Sequence, residues 1–73
     1  MSRLPQISGR ECVRALEKAG FYVARQRGSH ILMKRDEPSA RVTVPNHKTI
    51  KTGMLRGIIK DAGLTVDEFL ELL

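Results

Sequence analysis

The sequence predicts an α+β domain of two layers, with elements in the order α-β-β-β-α and a short extra helix at the C-terminus. Three observations predict it. Two S/T-x-x-E patterns, Ser8 to Glu11 and Thr65 to Glu68, each precede an apolar helical repeat. Short β-type runs broken by turn residues fill Phe21 to Val44. A helical period then returns beyond Pro45 and Asn46.

The first helix starts at a capping box, with Ile7 and Cys12 placed as a hydrophobic staple across its first turn. Cys12, Leu16 and Ala19 recur at i, i+4 and i+7, and Gly20 supplies a C-terminal stop after about three turns. The strands read FYVARQR, HILMKR and ARVTV, separated by Gly28-Ser29 and by DEPS, and they meander antiparallel. In the second helix Leu55, Ile58, Ile59 and Ala62 share one face, Thr52 is placed as its cap and Gly63 as its stop. Val66, Phe69, Leu70 and Leu73 repeat that spacing in the terminal helix. A three-stranded antiparallel sheet of this kind buries one face under helices and leaves the other wet.

Glycine at the first central position of a two-residue loop marks a type II′ hairpin, so Gly28-Ser29 sets Arg27 opposite His30. Regular pairing continues as Gln26 with Ile31, Arg25 with Leu32, Ala24 with Met33 and Val23 with Lys34. Alternation then gathers Arg25, Arg27, His30 and Lys34 on one face and Ala24, Ile31 and Met33 on the other. Phe21 and Val23 fall on the basic side in this register, although they want burial, which signals an irregular first strand.

With 73 residues the chain is one domain, 1–73, and its core is thin. A formal charge of +5 and a pI near 10.0 favour an anionic partner. The charge is uneven. Between Gly20 and Lys60 stand Arg25, Arg27, Lys34, Arg35, Arg41, Lys48, Lys51, Arg56 and Lys60, against only Asp36 and Glu37. Scattered surface charge explains any one of these residues, but a middle segment so lopsided points to nucleic acid. Cys12 is alone, so neither an internal disulfide nor a cysteine zinc site is expected. No apolar run approaches a membrane span and no signal-peptide core appears, so the expected location is cytoplasmic, with no membrane partner. Paired carboxylates, Gly-rich phosphate loops and metal-ligand spacings are missing as well, which argues against hydrolases built on them and against a metal or small-molecule cofactor.

Histidine as a residue type titrates near ~6.5, so it can take or give a proton at neutrality. Cleaving RNA without a metal needs a base for the 2′-hydroxyl, an acid for the leaving 5′-oxygen and positive charge on the phosphate. His30 fits such a role beside Arg25 and Arg27; the plain alternative is a surface histidine that begins a strand. His47, with Lys48 and Lys51, precedes the second helix, where free N–H groups favour phosphate. It is a candidate partner acid for His30, although nothing in the sequence brings the two together, and an ordinary polar loop explains it equally well. Ser29 is able to bond a phosphate, but turn chemistry alone accounts for it. Met33, Met54 and Phe69 sit at core spacing. Tyr22 is the only tyrosine, so base stacking is poorly provided for.

Three tracts, SGRECVRALEKAGF, RQRGSHILMKR and VTVPNHKTIKTGMLRGIIKDAGLTVDEFLELL, resemble the HicA (YcfA-like) mRNA interferase toxins, and the likeness runs from Leu4 to Leu73. The resemblance implies a fold like the double-stranded RNA-binding domain and metal-independent cleavage of mRNA. It also implies catalysis by the G-S-H histidine, here His30, and a HicB-type antitoxin as partner. RNA contacts are then expected from Arg25, Arg27, Gly28, Ser29, Lys34, Lys48 and Lys51. Many members carry a second histidine directly after the first. Ile31 occupies that place here, which removes any mechanism using adjacent histidines and leaves the second proton-transfer group open. The alternatives are a noncatalytic double-stranded RNA-binding module, and an inactive toxin-like domain that binds protein only.

Overall fold

The computed structural model describes residues 3–73. Its elements are α1 (Gly9–Lys18), β1 (Tyr22–Arg27), β2 (His30–Arg35), β3 (Ala40–Pro45), α2 (Thr52–Asp61) and α3 (Val66–Leu72). This is the order expected from the sequence, and it matches the α-β-β-β-α layout of the double-stranded RNA-binding domain with one helix added.

Helices α1 and α3 begin as the sequence specifies. Ser8 Oγ accepts from the Glu11 N–H while the Glu11 carboxylate accepts from the Ser8 N–H, at 3.1 and 3.0 Å. Thr65 and Glu68 repeat the arrangement at 3.1 and 2.8 Å. Each box satisfies donors that the first helical turn leaves without partners. Helix α2 differs. Its N-cap is Lys51, whose side chain makes no capping bond, and Thr52 is the first helical residue rather than the expected cap. Gly20 and Gly63 follow α1 and α2 at φ +95° and +76°, a left-handed conformation that costs glycine nothing and ends both helices.

The three strands form one antiparallel sheet in the order β1-β2-β3. Gly28 has φ +59° and Ser29 is not in the left-handed region, which is the type II′ turn the sequence predicts. From that turn the register runs as expected through Arg27 with His30, Gln26 with Ile31 and Arg25 with Leu32. It then slips. Ala24 is bulged out, so Met33 pairs with Val23 rather than Ala24, and Lys34 with Tyr22 rather than Val23. The bulge turns Val23 to the inner side of the sheet, where it is still 45% exposed, and Phe21 just before it is buried at 4% exposure.

Ile31, Met33, Val42 and Val44 point inward and join Cys12, Leu16, Leu55, Ile59 and Phe69 in one buried cluster. Removing such side chains from water stabilises the fold by ~1.5–3 kcal/mol each. Helix α1 packs on α3, β1 and β3, while α2 lies against β3 and α3. The shortest principal extent, 16 Å, leaves room for two layers and no third. Burial pushes the Cys12 thiol up to about 12, so it stays protonated at neutral pH and acts as a small apolar side chain.

Arg35 is an exception to the inward apolar pattern. Its guanidinium lies 4.6 Å from the Phe21 ring centroid and donates to the carbonyls of Pro38 at 2.9 Å and Ala62 at 3.1 Å. One side chain thereby joins the β2–β3 turn to the end of α2. Arg35 is a structural residue, and it does not contribute to the charge of the wet face.

Candidate functional site

The outer face of the sheet carries three cross-strand rows. Arg27, His30 and Pro45 form the first, Arg25, Leu32 and Thr43 the second, and Tyr22, Lys34 and Arg41 the third. Arg25, Arg27 and His30 are all exposed, and Lys34 is half-buried. The expected basic face therefore forms despite the bulge, because the slip lies beyond Arg25. Arg41 extends it and was not among the expected contacts. The signal for it was readable, since inward Val42 and Val44 force Arg41 and Thr43 outward by simple alternation. At the far end of this face the Tyr22 hydroxyl donates to Asp36 Oδ1 at 3.0 Å. That bond, helped by partial burial and the nearby negative charge, raises the tyrosine above its ordinary value and keeps it neutral.

His30 stands at the opposite end, where the G-S turn meets the β3–α2 loop. It shares a cleft of about 480 Å³ with Thr43, Pro45, His47, Met54, Gly57, Ile58 and Asp61. His47 also lines an adjoining cleft with Thr49, Ile50, Lys51, Gly53 and Met54 at the start of α2. Two histidines with sixteen residues between them in the chain thus open onto one depression. Lys48 is exposed in the same loop but lines neither cleft.

Main-chain bonds hold this arrangement. The Asn46 N–H donates to the Ser29 carbonyl at 2.7 Å, and the Gly9 N–H donates to the His47 carbonyl at 2.8 Å. The Ile50 N–H reaches the Ile7 carbonyl at 2.7 Å. A Cβ on Gly9 would collide with the Pro45 carbonyl oxygen, so only glycine lets α1 come this close to the loop. Ser29 contributes its backbone to the brace, and Gln26 Nε2 closes the same turn by donating to the Gly28 carbonyl at 3.2 Å.

The first turn of α2 has no side-chain cap, and Lys51, Gly53 and Met54 at its start line this cleft; the free N–H groups of a helix start favour an anion. Met54, expected in the core, is 55% exposed on this rim. Its place on the helix is three residues before Gly57, on the side away from Leu55 and Ile59. Met33 and Phe69 are fully buried, as their spacing required. Among the described residues no three His, Cys, Asp or Glu side chains converge on a point that could hold a metal ion. Nor is any helix among them long and apolar enough to cross a membrane.

The chemistry available is therefore two imidazoles on one cleft, a field of Arg and Lys along the sheet, and a free helix N-terminus. A family model, that of the HicA toxin of bacterial toxin-antitoxin systems, matches residues 9–64. The matched span runs from the first residue of α1 to just beyond α2 and includes both histidines. The comparison with curated proteins returned no match.

Proposed function

Because the chain belongs to the HicA toxin family of bacterial toxin-antitoxin systems, we propose that it is the toxin of such a pair and a metal-independent endoribonuclease acting on mRNA. The observation that carries this reading is the shared cleft of His30 and His47 at the edge of a basic face. One imidazole takes the proton of a ribose 2′-hydroxyl. The 2′-oxygen attacks the adjacent phosphorus, the P–O5′ bond breaks, and the other imidazole delivers a proton to the leaving 5′-oxygen. The products are a 2′,3′-cyclic phosphate and a free 5′-hydroxyl.

In this reading His30 is one proton-transfer group and His47 takes the place left open by Ile31. Arg25, Arg27, Lys34 and Arg41 hold the RNA backbone, and the α2 start with Lys51 and the nearby Lys48 stabilises phosphate charge. Gly28 and Ser29 act through their backbone, setting the turn that presents His30. An antitoxin partner follows from the family, and a HicB-type protein with an acidic surface fits the outer face by charge. Covering that face is the simplest way to inhibit cleavage.

The test is RNA cleavage in EDTA by the native protein and by His30→Ala, with folding of both checked by circular dichroism. Positioned acid-base catalysis is worth ~10²- to 10⁴-fold, so His30→Ala should lose cleavage to that extent and keep RNA binding. The native rate should follow a bell-shaped pH profile, and His47→Ala should remove one of its limbs. Equal cleavage by native and His30→Ala proteins would discard the mechanism. If neither protein cuts and both bind duplex RNA with steep salt dependence, the noncatalytic module is the correct reading.

A further inference from the structure

Three residues of α2 that face the histidine cleft have no structural explanation. Met54 is a large apolar side chain left 55% exposed. Gly57 sits in the middle of the helix, where glycine is unfavourable. It has no positive φ, and a Cβ built there meets nothing within 4 Å, so neither backbone nor packing requires it. Asp61 is the last residue of α2, the end at which a helix disfavours negative charge, and its carboxylate has no hydrogen bond or ion pair among the described residues. All three line the cleft with His30 and His47.

What the three share is a function for the space between them. Glycine at 57 keeps the cleft open, Met54 with Pro45 and Ile58 makes its lining apolar, and Asp61 puts an acceptor at its far end. A carboxylate repels phosphate, so the occupant of this part of the cleft is not the RNA backbone. An apolar slot ending in a hydrogen-bond acceptor, beside a basic surface, suits the flat face and N–H edge of a nucleobase.

We infer that the β3–α2 cleft seats one unpaired base of the RNA, next to the phosphate that His30 and His47 address, and that the preferred base is guanine. Guanine alone offers two adjacent donors, N1–H and the N2 amino group, on its Watson–Crick edge, and a carboxylate accepts both. A base seated there cannot be paired, so the substrate is single-stranded at this position. Apolar contact from Met54 also provides for the base face, which the shortage of aromatic residues had left without a partner. The inference deepens the reading above and rests on it for placing RNA on this face.

Binding measured in the His30→Ala background tests it without relying on cleavage. The probes are a short unstructured oligouridine carrying one guanosine, the same strand with an abasic ribose in place of that base, and the same strand with adenosine there. The His30→Ala protein should bind the guanosine strand about tenfold tighter than either alternative. Adding Gly57→Leu, which the open space around residue 57 accommodates and which favours the helix, should bring the guanosine-to-abasic ratio close to one. Adding Asp61→Asn should instead erase guanosine over adenosine while keeping both above the abasic strand. An unchanged guanosine-to-abasic ratio in the Gly57→Leu protein overturns the slot, as does equally tight binding of the strand once it is annealed to its complement. Base-dependent binding without cleavage by the native protein upholds the slot and retires the nuclease. Cleavage by a native protein that ignores the abasic substitution does the reverse.

Discussion

The two faces of the sheet are built from the same three strands and do opposite work. Along β2, Ile31 and Met33 point inward and are buried, while His30 and Leu32 point outward and Lys34 follows them into the basic rows. Along β2 and β3 the inner face is buried under the helices and holds the fold together. The outer face presents cations and a histidine, and its polar side chains bury little. The contrast shows that a 73-residue chain can assign its core and its cationic surface to alternate residues of one strand.

The sharpest way to break the contrast is on the inner face. Met33→Ala empties a site at 0% exposure and should cost ~2–5 kcal/mol in a urea denaturation, enough to threaten the fold of so small a chain. Arg35 tests the rule from within, as the cation placed among the inward residues. Arg35→Met should cost ~1–3 kcal/mol, because the part-buried Ala62 carbonyl loses its donor, and RNA affinity should fall no more than stability dictates. A large change in RNA affinity at unchanged stability would instead add Arg35 to the ligand-binding set.

Smaller effects separate capping from recognition. Ser8→Ala removes the α1 cap and should cost about 1 kcal/mol by thermal denaturation. Glu11 is held below its ordinary value of 4.5 mainly by the Ser8 backbone N–H and then by the Ser8 side chain. Its folded value is depressed, so its contribution is present above about 4.5 and fades as the pH falls through the lower folded value. In Ser8→Ala an NMR titration should find Glu11 moved back up. On the outer face Arg25→Ala should leave stability within about 0.5 kcal/mol. It should instead flatten the slope of log affinity against log salt by roughly 0.7 for single-stranded RNA. An unchanged slope would mean that the RNA bypasses this row.

Local chemistry was readable in the sequence, and juxtaposition was not. Both capping boxes, the Gly28-Ser29 turn and the first three pairs of the hairpin follow from interactions within a few residues, and the structure has them as expected. The Ala24 bulge left a trace in the wrong parity of Phe21 and Val23, but alternation cannot say which residue is expelled. Met54 has the spacing of a core residue, yet α2 spends that side of its first turn on the cleft rim, a choice made by tertiary packing. Lys51 displaced Thr52 as N-cap because the chain enters α2 one residue earlier than the hydroxyl suggested. The meeting of His30 with His47 depends on how the β3–α2 loop returns past the hairpin turn, and no spacing in the chain encodes it.

That meeting is held by the Asn46 to Ser29 and Gly9 to His47 bonds, in which every donor and acceptor is main chain. Side-chain identity around the two imidazoles is therefore decoupled from their spacing, with Gly9 the position where any added carbon intrudes. The surface between them is free to drift. A lineage can exchange charges and contours there while the turn and the loop that carry the two imidazoles stay where they are.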